Sequence, residues 1–120
     1  MANGRRWPPW VYSVGEDPDV RFSLANERTF LAWIRTAMAL LAGGVAIDVV
    51  DLHLSTGLQR ALAVLVLALG ILCAVDSWVR WARSERAMRL AAPLPAPALG
   101  AVIAVGLVVT GAVLIVAGLR

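Results

Sequence analysis

Lysine is absent from this chain, and all eleven basic residues are arginine, set against eight acids for a net charge of +3. Cysteine is nearly absent too. The single Cys73 excludes an intramolecular disulfide framework, and inside an apolar stretch it reads as a small packing residue. One histidine, His53, leaves no pair of imidazoles for a metal-binding helix. Beside Asp51 in a polar turn it reads as a solvated loop residue, with proton sensing alongside Asp48 and Asp51 as a second reading. There is no nucleophile elbow, Walker loop or dinucleotide fingerprint. No catalytic residue, metal or cofactor is therefore expected, the chain does not read as an enzyme, and nothing points to a nucleic-acid partner. Polar surface is also scarce. With 60% hydrophobic residues and a mean hydropathy of +0.77, the chain is too apolar for a water-soluble domain of 120 residues.

What is present in quantity is hydrophobic sequence of membrane-spanning length, about 20 residues. Three segments qualify: residues 30–50, 61–79 and 98–119, the last without any charge. The expected fold is an all-α membrane protein with three transmembrane helices and helical extensions on the cytoplasmic side. Residues 18–120 form the membrane domain. Residues 1–17, with Gly4, Pro8, Pro9 and Gly15 and no periodicity, read as a flexible cytoplasmic tether. Trp7, Trp10 and Tyr12 in that stretch suit the headgroup level. Neither an apolar run nor a small-residue cleavage site follows Arg5 and Arg6, so no signal peptide is expected and the first span serves as the insertion signal.

The arginines set the orientation. Arg5, Arg6, Arg21 and Arg28 precede the first span, and Arg80, Arg83, Arg86 and Arg89 lie between the second and third. The other two flanks hold only Arg60 and Arg120. Short arginine-rich flanks stay inside, which predicts a cytoplasmic N-terminus and an external C-terminus. Asp17 before Pro18 reads as a helix cap with proline at the first helical position, so the helix of the first span starts well before residue 30. The second span likewise continues through its arginines, until Pro93, Pro95 and Pro97 bar the helix. A short turn near residues 54–57 makes spans one and two an antiparallel hairpin. Small residues mark packing faces: Ala39, Gly43 and Ala46 in the first span, Gly70 and Ala74 in the second, Gly106 and Thr110 in the third.

Arg21, Arg28 and Arg35 recur every seven residues, close to two helical turns, and so share one stripe. Arg35 sits five residues into the first apolar stretch. A charge near a span centre costs roughly 2.5–3.5 kcal/mol on insertion scales, and such residues seldom face lipid. Binding lipid phosphates accounts for Arg28 and for the cluster from Arg80 to Arg89. It accounts poorly for Arg35, which would have to snorkel across roughly 7 Å. Glu27, next to Arg28, reads as its charge partner and as a gate that competes with a passing anion. Asp76, in the same half of the membrane, reads as an interhelical partner of Arg35 or Arg28.

The run Leu24-Ala25-Asn26-Glu27-Arg28-Thr29-Phe30-Leu31-Ala32-Trp33-Ile34-Arg35-Thr36-Ala37 closely resembles the signature of the YidH-like family, the domain of unknown function numbered 202. The resemblance extends over the three-span layout from Val20 onward. The same domain is similar to the membrane part of the eukaryotic vacuolar transporter chaperone complex. There, five copies of a three-helix unit surround a polyphosphate channel lined by basic residues. The polymerase domain of that complex has no counterpart in this sequence, so the resemblance implies the translocating part and not the synthetic enzyme. It matches Arg21 to a basic position ahead of the motif, Glu27 and Arg28 to the motif itself, and either Arg80 or Arg83 to a basic pore residue of the second helix. Arg35 belongs to the bacterial form of the motif. The expected function is a homo-oligomeric channel or vestibule, pentameric by the resemblance, that takes phosphate-type anions through Arg21, Arg28, Arg35, Arg80 and Arg83. The alternative is a non-conducting accessory subunit whose arginines bind membrane lipids or a partner membrane protein.

Overall fold

The computed structural model describes residues 6–94 and 98–118. Arg5, Pro95, Pro97 and Arg120 of the sequence reading lie outside the described residues. A short helix α1 (Pro9–Tyr12) precedes three long ones, α2 (Val20–Val49), α3 (Thr56–Arg89) and α4 (Leu99–Gly118). The three long helices are each long and apolar enough to cross a membrane.

Local chemistry sets their ends. α2 is capped by Asp19, whose carboxylate accepts from the Arg21 backbone N–H at 2.9 Å. The cap is thus Asp19 and not Asp17, because Asp17 is engaged by two arginines described below. α3 is capped by Ser55, which accepts from the Leu58 N–H at 3.2 Å. It ends where Ala91 turns to a positive φ of 53° ahead of Pro93, with Arg86 and Arg89 in its last turn complementing the helix dipole. Between α2 and α3 the chain reverses over residues 50–55. Gln59 reaches back across the turn and donates its amide to Ile47 O at 2.7 Å and Val50 O at 2.8 Å. Those carbonyls lie at the end of α2, where helical partners run out.

α2 and α3 form the expected antiparallel hairpin, and α4 lies along α3. The core is a thin seam of Ala37, Leu40, Val66, Leu69, Cys73 and Ile103, with Trp33 against it. Close approach depends on glycine. Gly44 faces Leu67, Gly70 faces Leu41 and the Ala37 carbonyl, and Gly106 faces Leu69. The Gly70 and Gly106 faces are those expected. On α2, however, the seam runs through Ala37, Leu40 and Gly44, while Ala39 and Ala46 are exposed. The bulky residues Trp33 and Leu40 fix that rotation by filling the groove beside α3, which turns the alanines outward. Hydroxyl and thiol groups in the spans find backbone carbonyls: Ser77 donates to Cys73 O and Thr110 to Gly106 O one turn back, and Cys73 donates across the seam to Trp33 O. No buried side-chain polar atom among the described residues lacks a partner, as an apolar surrounding requires.

Candidate functional site

The arginines expected to form one site fall into different environments. Arg28 and Arg35 lie on the exposed face of α2, in register with Ala32, Ala39, Ala42 and Ala46. Steps of four and three residues along that row keep all six on one side of the helix. Neither arginine has an ion-pair partner among the described residues. Arg21 is on the same stripe, but its guanidinium returns to Asp19 at 3.1 Å. Arg80 points into the α2–α3 seam, held by Asp76 at 2.9 Å and placed over the Trp33 ring at 4.6 Å. Arg83 is exposed. Asp76, expected to meet Arg35 or Arg28, therefore pairs with Arg80 one turn along its own helix. An i,i+4 pair needs no second helix. Glu27 makes no ion pair among the described residues and lines a crevice between α2 and α3.

The amino-terminal segment, expected as a tether, is packed against the end of α3. Val11 is fully buried. Arg89, only 4% exposed, donates to Tyr12 O, Val14 O and the Asp17 carboxylate. Arg86 donates to Trp10 O and sits over the Trp10 ring, and Trp7 lies 5.6 Å from Trp78. The Glu16 N–H donates to Arg89 O at 3.1 Å. Two of the four arginines after the second span thus hold this arm in place. Their three-residue recurrence gave no hint of it, because three of the groups they meet are backbone carbonyls, which leave no mark in a sequence.

Asp17 joins arm and helix, accepting from Arg6 at 2.6 Å and from Arg89. Those two guanidiniums, Arg6 first, hold its carboxyl below the ordinary aspartate range. Asp19 is lowered in the same direction by Arg21. A depressed carboxylate contributes stability that is present above its unfolded pKa and is lost as pH falls through its folded value. Arm docking is accordingly expected to hold at neutral pH and to fail on acidification. Amide exchange of Val11, Tyr12 and Ser13 across an acid titration measures it, and Asp17→Asn should flatten the transition.

Sequence reading also missed Glu85. It is 4% exposed and accepts from Ser23 Oγ at 3.3 Å and Asn26 Nδ2 at 3.2 Å, across the α2–α3 seam. Asn26 donates to Trp81 O as well, at 3.1 Å. The available signal was that Glu85 is the only acid within the arginine run from Arg80 to Arg89. His53, by contrast, is a loop residue whose N–H donates to Asp51 at 3.0 Å, and its ring is open to solvent.

The family described as Domain of unknown function (DUF202) matches residues 21–87. The chain belongs to the DUF202 family. Inner membrane protein YidH of Escherichia coli (strain K12) is 50% identical over 88 residues, covering 71% of this chain and 75% of that protein. An uncharacterized protein of Mycobacterium tuberculosis (strain ATCC 25618 / H37Rv) is 46% identical over 98 residues, covering 81% and 80% respectively. No solved structure matches. The matched region of the DUF202 family spans α2 and nearly all of α3, so it contains the arginine row, the Asp76–Arg80 pair and Glu85.

Proposed function

We propose that this chain is a non-enzymatic, multi-pass protein of the bacterial inner membrane, and that copies of it associate around the exposed face of α2 to line a passage or vestibule for phosphate-type anions. The observation that carries the reading is the pair Arg28 and Arg35. They stand on an outward face of a membrane-spanning helix, and neither has an ion-pair partner among the described residues. Lipid is a poor environment for that face, so a partner outside the chain has to meet it. Alanines between the arginines let neighbouring helices come close, and symmetry would then gather several guanidiniums around one axis. Guanidinium is suited to phosphate through paired donors. Inner membrane protein YidH, the Escherichia coli relative, supports the location.

Reconstituted into liposomes, the protein is expected to pass or bind multivalent phosphates in preference to cations. Arg28→Ala and Arg35→Ala should each reduce this by about tenfold or more, the equivalent of one charge-assisted contact. Arg60→Ala should not. Lysine at either position should restore it only in part. If a folded oligomer shows neither anion flux nor polyphosphate binding at any voltage or pH, the conducting reading is wrong, and the arginines belong to an accessory subunit that grips lipid headgroups or a partner membrane protein.

The orientation proposed is N-terminus inside and C-terminus outside, from the arginine bias of the flanks. Single cysteines at Ser55 and Ala92, in a Cys73→Ala background, report it. Position 55 should label from outside intact cells and position 92 only after the membrane is opened. The reverse pattern would overturn the assignment.

A further inference from the structure

Between the first turns of α2 and the last turns of α3 lies a crevice of about 440 Å³ whose chemistry is unlike that of the arginine row. Phe30, Trp78 and Trp81 line it together with the carboxylates Glu27 and Glu85. The rings are tilted against one another rather than stacked flat, at 55° for Phe30 and Trp81 and 40° for Trp78 and Trp81, with centroids 6.4 Å apart in both pairs. Arg6 and Arg89 also line the crevice, and both are engaged by Asp17.

Glu85 is the unusual member. Its carboxyl group is buried, yet the donors it accepts from are neutral: the Ser23 hydroxyl on one oxygen and the Asn26 amide on the other. Arg89, one turn along the same helix, points instead to the arm. No cation lies within ion-pair distance of Glu85 or Glu27 among the described residues. A carboxylate offers about four acceptor positions, so the two hydrogen bonds leave Glu85 with capacity to spare. A buried acid without a cationic partner is costly, and a cation entering the crevice would remove much of that cost.

We infer that the crevice binds an alkylammonium group, with the ammonium at Glu27 and Glu85 and its carbon substituents against Phe30, Trp78 and Trp81. Aromatic faces attract such cations through the ring quadrupole. A hard metal ion fits less well. It takes six or more oxygen ligands, and no group of three metal-ligating side chains occurs among the described residues. The ammonium could come from a lipid ethanolamine headgroup, since tryptophans such as Trp78 and Trp81 favour the headgroup level, or from a soluble amine. Either source supplies the same chemistry. The inference is independent of anion conduction, which concerns the other face of α2.

Calorimetric titration of the full purified chain in detergent tests it, using ethanolamine hydrochloride and tetramethylammonium chloride against sodium chloride at equal ionic strength. Saturable heat from the amines and none from sodium is expected. Glu85→Gln and Glu27→Gln should each weaken amine binding about tenfold, as expected for loss of a charged contact, while Glu16→Gln leaves it unchanged. Native mass spectrometry from mixed ethanolamine- and glycerol-headgroup nanodiscs separates the sources. Preferential retention of the ethanolamine lipid identifies a lipid ligand, and amine heat without that retention identifies a soluble one. If Glu85→Gln does not fold, Glu27→Gln and Trp78→Leu carry the comparison. Amine titrations that match sodium, with no preference among retained lipids, would sink the proposal. So would binding that survives the carboxylate variants undiminished.

Discussion

Gly15→Ala is expected to release the amino-terminal arm while leaving the three long helices intact. Gly15 adopts φ +61°, a region that costs an L-residue roughly 1–2 kcal/mol. A Cβ built there would also overlap the carbonyl oxygen of Arg89, a backbone atom that no rotamer change can move aside. The same carbonyl accepts the Glu16 N–H, so the clash falls at the closest approach between arm and helix. Strain and clash together should cost about 3 kcal/mol, comparable to other severe backbone misfits. Amide exchange at Val11, Tyr12 and Ser13 should then quicken about a hundredfold, because local opening sets their protection. The thermal midpoint should hardly change, since the arm packs on the end of α3 and contributes little to the seam between spans. Unchanged exchange at all three amides would show that the arm is not held at Gly15. Gly57→Ala, with no atom near its Cβ position, is the control.

The second large effect is expected at Gly70, at the crossing of α2 and α3. A Cβ there would lie 2.9 Å from Leu41 Cγ and Cδ2 and 3.2 Å from the Ala37 carbonyl oxygen. Leu41 can shift, but the carbonyl belongs to the facing helix backbone. Gly70→Val should push the helices apart along the whole seam and cost about 3 kcal/mol, the upper end of typical overpacking. A fall in the thermal midpoint of the detergent-solubilised protein, with helicity retained by circular dichroism, measures this. Gly111→Val should change little, because open space surrounds it. Equal midpoints for the two variants would mean that the hairpin does not depend on close packing at Gly70.

Much of the fold could be read from the sequence, since it rests on patterns that local physics enforces. Apolar length gave the three spans, the short polar turn gave the hairpin, and unbroken helical sequence before residue 30 and after residue 79 gave the extensions of α2 and α3. Gly70 and Gly106 were recognisable as points of close approach. Rotation of α2 was not, because Ala39, Gly43 and Ala46 read as a packing face just as well as Ala37, Leu40 and Gly44 do. The bulk of Trp33 and Leu40 decides it.

The surroundings of the candidate site were less legible. Arg28 and Arg35 stood out because charge in an apolar stretch is conspicuous, and the structure leaves both on an open face. Asp76 was matched to the wrong helix by an argument from depth, when Arg80 stood four residues away. Docking of the arm left no periodic trace: it depends on three carbonyls that accept from Arg86 and Arg89, on the Asp17 carboxylate and on one positive φ. Glu85 was hidden for a similar reason. In a run rich in arginine, an acid reads as a solvated partner, and only the tertiary position of Ser23 and Asn26 shows that it is not.

The unequal helix lengths divide labour within the molecule. At 1.5 Å per residue, α2 and α3 run to about 45 and 51 Å, well beyond the roughly 30 Å thickness of a bilayer's hydrocarbon. The excess is the arginine-bearing end of each helix, residues 20–29 of α2 and 80–89 of α3, so apolar length alone bounds the height of the hairpin without fixing it to the turn. α4, at about 30 Å and without a charged residue among those described, matches the hydrocarbon from end to end. It is keyed to α3 where Gly106 meets Leu69, and its first turn meets α2 where Gly100 lies under Trp33. α4 therefore serves as a depth gauge. Through those two notches it sets how far below the water line Arg35 is carried, although it contributes no side chain to the arginine row.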